Sequence, residues 1–132
     1  MVPAMRGVAD VADAYADLVC ETFPARATYL GVHDHDHRLG EHTTATFETF
    51  GSRVRALRTE LAATADRGID ARALDGALAT ELLEVEHEQQ WRRNPDAAID
   101  AALGACVVLL LRGTAPFETR LAALHDRLGA LP

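Results

Sequence analysis

The chain has 132 residues, of which 48% are hydrophobic and 25% are charged, an ordinary balance for a globular domain. All thirteen basic residues are arginine and the formal net charge is −7, an acidic balance that argues against nucleic acid, whose binding needs clustered cations to displace counterions. The longest apolar stretch, residues 101–111, is about half of what a membrane-spanning helix needs. We therefore expect neither nucleic acid nor a membrane as a partner.

The cysteines and the first twenty residues bear on the compartment. Cys20 and Cys106 stand alone, without the CxxC spacing of a metal or redox site. Three aspartates interrupt the N-terminal region where a secretory segment would need an unbroken apolar run. This pattern predicts a cytoplasmic protein with reduced, buried thiols.

Three helices are predicted in the first half of the chain, near residues 4–22, 24–30 and 43–66. Apolar residues recur at three- and four-residue spacing in the first of them. Pro24 is accepted at the first position of the second helix, and Gly31 suits its left-handed end. The third helix has the clearest stripe, formed by Phe47, Phe50, Val54, Leu57 and Leu61.

Three more helices are predicted near residues 70–93, 96–112 and 116–130. Asn94-Pro95 separates the first two, because the residue before a proline is pushed out of the α region. The inward residues predicted for the first and last of the three are Leu74, Leu78, Leu82, Val85, Leu121, Leu124 and Leu128.

Together these elements predict an all-α fold, a bundle of five to six helices forming a single domain over residues 1–132. No alternating run of strand length competes with them. The segment 101–111 is apolar nearly all round, so its helix must be covered on most sides. We expect this helix to meet either the rest of a longer helical protein, a partner chain or a second copy.

The segment between residues 31 and 40 concentrates glycine, histidine, aspartate and arginine. In an extended conformation His33, His35 and His37 would share one side, which could hold zinc, nickel or copper. In a helix only His33 and His37 would face together. The alternative is a solvent-exposed polar loop, where such a composition commonly lies.

A second polar group lies within the predicted helix 70–93. Glu81, Glu84 and Glu88 would share one helix face, and Glu84 with His87 forms one Glu-x-x-His unit. Di-iron bundles need two such units and two further glutamates, so a charged solvent face is the preferred interpretation. Trp91 stands where a zinc-binding HExxH motif needs its second histidine, which argues against a metalloprotease site.

Three segments together resemble a known family. Phe23-Pro24-x-x-Ala27-Thr28-x-Leu30-Gly31-x-His33-x-x-Asp36-x-Arg38-Leu39 resembles the opening signature of the bacterial domain-of-unknown-function 885 family. Trp91 followed by Asn94-Pro95 resembles the segment after that family's long helix. Arg120-Leu121 and Arg127-Leu128 before the final proline resemble its later Arg-Leu run. The resemblance covers essentially the whole chain.

The resemblance implies a helical, zinc-dependent, metallopeptidase-like hydrolase several times longer than this chain. The zinc of the complete enzyme would be held by a His-Glu … Pro-Gly-His segment far downstream, which this sequence does not contain. The chain itself would then be a non-catalytic N-terminal part of a longer enzyme, or a stand-alone remnant without the catalytic half, with no cofactor of its own. His33, Asp36 and Arg38 fall on motif positions, His35 sits where an aromatic is more usual, and His37 is off the motif.

Two roles are open for the motif residues. Asp36 and Arg38 could form a charge-assisted pair that fixes the loop, or the loop could border the substrate cleft of the complete enzyme. Two other functions also remain open for the chain as a whole. One is a stand-alone binding module, as a homodimer or a partner subunit, and the other is a metal-binding module through His33, His35 and His37.

Overall fold

The computed structural model describes residues 7–113 and 115–131 and confirms the all-α prediction. No strand occurs within these residues. The helices are α1 (Val8–Thr22), α2 (Pro24–Leu30), α3 (Thr44–Ala63), α4 (Ile69–Leu82), a π-helix (Leu83–Glu88), α5 (Gln90–Arg93), α6 (Asp96–Leu111) and α7 (Phe117–Gly129). Residues 4–6 of the first predicted helix lie outside the described part of the chain.

The predicted helix 70–93 differs from the structure at its C-terminal end. It becomes a π-helix at Leu83, and Gln89 then adopts a left-handed conformation with φ of 50° before α5 begins. The amide of Gln89 donates to the carbonyl of Glu84 over 2.8 Å, a bond that spans five residues, as in a π-turn. Neither glycine nor proline marks this break, so the sequence pattern could not locate it. When α4, the π-helix and α5 are counted as the single helix predicted, the described residues form six helices.

Contacts divide the described residues into two compact units, unit 1 with residues 7–18 and 44–90 and unit 2 with residues 19–43, 91–113 and 115–131. In unit 1, α3 packs against α4. The predicted stripe of α3 is buried in full, which confirms its helical period. Val85 of the π-helix lies against Gly51, where an added Cβ would come within 3.1 Å of Val85 Cγ1.

In unit 2, α6 packs against both α2 and α7. The prediction that Leu121 and Leu128 face inward is wrong, because these side chains are 47% and 50% exposed. The buried residues of α7 are Ala123 and Arg127 instead. Relative to the predicted orientation, the helix is rotated about its axis, so that the Arg127 guanidinium lies in the interior and donates hydrogen bonds there.

The helix α6 buries one side and exposes the other. Its buried residues are Ala105, Cys106, Val108 and Leu109. Its exposed large residues, here called the outer face of α6, are Ile99, Leu103, Val107, Leu110 and Leu111. The prediction that a longer helical protein, a partner chain or a second copy covers this face stays a prediction.

Within the described ranges, no single helix is long and apolar enough to cross a membrane. One bent pair of consecutive helices reaches the required length and composition when its members are combined.

Candidate functional site: the loop around Asp36

The candidate site is built on residues 31–40, here called the site loop. Gly31 ends α2 with φ of 92°, the left-handed conformation predicted for it, and the amide of Val32 donates to the carbonyl of Ala27 over 2.9 Å. Two turns follow, closed by the amides of Asp36 and Arg38. The segment is therefore neither the extended strand that would align three histidines nor a helix.

Asp36 is the centre of the loop's side-chain bonds. Its Oδ2 lies 2.8 Å from His33 Nδ1, and its Oδ1 lies 2.6 Å from the hydroxyl of Thr28 in α2. The Thr28 hydroxyl has one proton and is also 3.1 Å from the carbonyl of Pro24. The shorter distance and the charge of a carboxylate assign that proton to Asp36.

Arg127 of α7 reaches the same group from inside unit 2 and is fully buried. Its Nη2 donates to Thr28 Oγ1 over 2.7 Å, and its Nε donates to the carbonyl of Arg38 over 3.0 Å. Its Nη1 donates to the carbonyl of Ala105 in α6. One guanidinium thus binds α2, the site loop and α6 together.

The charge of Arg127 is balanced inside the unit. Burial lowers the pKa of this guanidinium, while the nearby Asp36 carboxylate acts in the opposite direction. Asp36 Oδ1 lies 3.9 Å from Arg127 Nη2. Because an arginine side chain stays protonated in proteins, the buried group is a cation with hydrogen bonds and a carboxylate nearby, the arrangement that makes burial of a charge tolerable.

The structure brings together only some of the predicted site residues. His33 and Asp36 are bonded to each other, but the proposed Asp36–Arg38 pair is wrong, since Arg38 is exposed and contributes its carbonyl instead. His35 is partly buried and His37 is exposed. Across the described residues, no group of three histidine, cysteine, aspartate or glutamate side chains is placed to hold a metal ion.

Sequence reasoning missed the central residue of the site, Arg127. Arginine is expected at the surface. The apolar stripe of Leu121, Leu124 and Leu128 predicted an orientation of α7 in which Arg127 would be exposed. The available signal was that Thr28 and Arg127 both lie in the segments on which the predicted family resemblance rests. That signal could have suggested proximity, although not the bond between them.

The predicted acidic ridge in unit 1 also needs a correction. Glu84 and Glu88 are exposed, but Glu81 is only 6% exposed and is not part of a solvent face. Its Oε1 accepts a hydrogen bond of 2.7 Å from the Tyr15 hydroxyl of α1. The carboxylate is therefore used inside the unit, where a tyrosine compensates part of its lost hydration.

Comparisons with known proteins give no match: no family model fits the chain, and neither a curated protein nor a solved structure is significantly similar to it.

Proposed function

We propose that this chain is the helical N-terminal part of a metallopeptidase-like hydrolase similar to the domain-of-unknown-function 885 family. In the complete protein it would serve as scaffold and as one wall of a substrate cleft. The zinc, which polarises a carbonyl and activates water in such enzymes, would be held by residues outside this sequence. A cytoplasmic location is part of the same proposal, which is favoured by the burial of Cys20 and Cys106 as thiols.

One observation carries the proposal. The opening signature contributes Thr28, Asp36 and Arg38, and the later Arg-Leu run contributes Arg127, and these residues meet at one buried guanidinium. Two stretches chosen for their resemblance are thereby explained by a single physical requirement. This contact supports the proposal because it gives the two segments one shared structural role.

The same geometry favours structural support over substrate contact for the motif residues. Asp36 and His33 are bonded to each other, and Thr28 is buried. The exposed polar side chains of the loop include those of Asp34, His37 and Arg38. In a complete enzyme, these exposed side chains would be the loop's groups available to a substrate, with His33 and Asp36 holding the loop in position.

The test is the native polypeptide together with the activity of the isolated chain. We expect the coding sequence to continue past Pro132 to a His-Glu … Pro-Gly-His segment, and the intact mass from native cells to match the longer protein. We also expect the 132-residue chain to show no peptidase activity with added zinc. Zinc-dependent turnover by this chain, or a native protein that stops at Pro132, would contradict the proposal.

A second candidate function is a binding module, and the outer face of α6 favours it. Its five large apolar residues are each exposed, among them Leu103 at 59% and Leu111 at 80%. Apolar residues grouped on one helix face are typical of interaction surfaces. This candidate predicts a stable homo-oligomer or a complex with a partner subunit, and a monomer by light scattering at micromolar concentration would count against the homo-oligomer.

A further inference from the structure

Arg127 joins three segments that lie far apart in the chain. Its acceptors are the Thr28 hydroxyl, the Arg38 carbonyl and the Ala105 carbonyl. A guanidinium presents its donors in a rigid planar fork, so these acceptors are satisfied together only when α2, the site loop and α6 hold one arrangement around α7.

The helix α7 has few fully buried apolar residues to hold it in place. Its buried residues are Ala123 and Arg127, while Phe117, Leu121 and Leu128 are each about half exposed. Helices in globular proteins usually dock through an apolar stripe. Here hydrogen bonds take over much of that role. They are made by Arg127, and by Arg120 to the carbonyls of Leu109 and Leu110.

The site loop also depends on the Arg127 guanidinium for its hydrogen bonds and charge balance. Without Arg127, the Arg38 carbonyl would lose a donor and Asp36 would lose its nearest arginine. The Thr28 hydroxyl, which donates to Asp36, would also lose the donor that orients it. Buried polar groups left without partners carry a desolvation penalty, so the turns of the loop would be less stable.

We propose that Arg127 couples the site loop to α7, so that each is held in its folded position by the other. Because such a coupling is an equilibrium property, it acts with equal strength in both directions. Loosening α7 at Arg127 opens the loop, and removing the Thr28 hydroxyl of α2, which bonds to both Asp36 and Arg127, loosens the loop and α7 together. The coupling concerns this chain alone and does not depend on the proposed hydrolase.

Hydrogen exchange of the full chain, resolved by peptide, tests the coupling. In Arg127→Met we expect exchange in both 33–38 and 117–129 to become about tenfold faster or more, with α3 in unit 1 unchanged. Arg120→Met is the matched control, since Arg120 lies in the same helix and also donates to carbonyls. Arg120 holds only the beginning of α7, so in that variant we expect faster exchange near 117–121, while Arg127 keeps its acceptors and the loop stays within about threefold of wild type.

A loop unaffected by Arg127→Met, or equally affected by Arg120→Met, would overturn the proposal. Arg127→Met could instead raise exchange everywhere, including α3. Thr28→Val is then the deciding variant, because it removes the hydroxyl and keeps the shape of the side chain. Faster exchange in both 33–38 and 117–129, relative to α3, then supports the coupling. An increase in only one segment, or the same increase in α3, refutes it.

Discussion

Arg127 Nη2 and Thr28 Oγ1 share a hydrogen bond of 2.7 Å although the residues are 99 positions apart in the chain. Both side chains are buried, so this bond ties the last helix to the second in the interior of unit 2. The bond also orients the hydroxyl whose proton goes to Asp36.

The energetic link between these two residues can be measured by a double-mutant cycle. We expect Thr28→Val to lower the free energy of unfolding by about 1–2 kcal/mol and Arg127→Met by about 3–5 kcal/mol. The double variant should lose less than the sum, by about 1–2 kcal/mol, because the two residues share one bond. Urea unfolding gives the four values, and additivity within about 0.3 kcal/mol would contradict a direct link.

The two glycines that bound the site loop differ in a way that substitution can separate. Gly31 and Gly40 both have positive φ, 92° and 87°. An added Cβ meets nothing within 4 Å at Gly31, but at Gly40 it would lie 2.9 Å from Pro24 Cδ. We expect Gly31→Ala to cost about 1 kcal/mol for its backbone conformation and Gly40→Ala at least about 2 kcal/mol. Equal changes in urea midpoint would show that the contact with Pro24 has no cost.

Substitution of two neighbouring leucines on α6 tests which side of that helix is buried. Leu109 is buried and Leu110 is about half exposed. Leu109→Ala should lower the free energy of unfolding by about 2–4 kcal/mol, since it leaves a cavity, whereas Leu110→Ala should cost less than about 1 kcal/mol. Thermal unfolding of the two variants makes the comparison. A larger loss for Leu110→Ala that grows with protein concentration would indicate that a second copy covers the outer face of α6.

Acid should weaken one ion pair of unit 1. Arg58 Nε lies 2.7 Å from Asp75 Oδ1, and this hydrogen bond lowers the pKa of Asp75. A carboxyl whose pKa is lower in the folded state stabilises that state at neutral pH, and this contribution disappears as the pH falls through the folded pKa. Asp75→Asn should therefore lower the urea midpoint slightly near pH 7 and leave it unchanged at about pH 2.

The control for this experiment is Asp126→Asn, which changes an exposed carboxylate in unit 2. It corrects for the general effect of removing one negative charge from an acidic chain. Salt should reduce the effect of Asp75→Asn, because both partners are about half exposed and their attraction is screened. A difference between wild type and Asp75→Asn that persists at acid pH would mean that the substitution acts through something other than the ion pair.

Local rules were sufficient for much of the fold. The apolar residues of α3 repeat at helical spacing and are buried as predicted. An amphipathic helix that packs on a core is most stable with its apolar face turned inward. Gly31 ends α2 for an equally local reason, since its left-handed conformation is disfavoured for other residues. The loop position of His33 and Asp36 also follows from residues beside them in the chain.

Tertiary structure alone decided the rotation of α7, the burial of Glu81 and the break at Gln89. The period of a helix identifies its apolar side, but a buried arginine or glutamate depends on partners supplied by distant segments, here Thr28, Ala105 and Tyr15. The sequence by itself therefore determined where most helices lie and which residues form the loop. Whether a charged side chain could enter the interior depended on hydrogen-bond acceptors and donors that only the folded chain brings within reach.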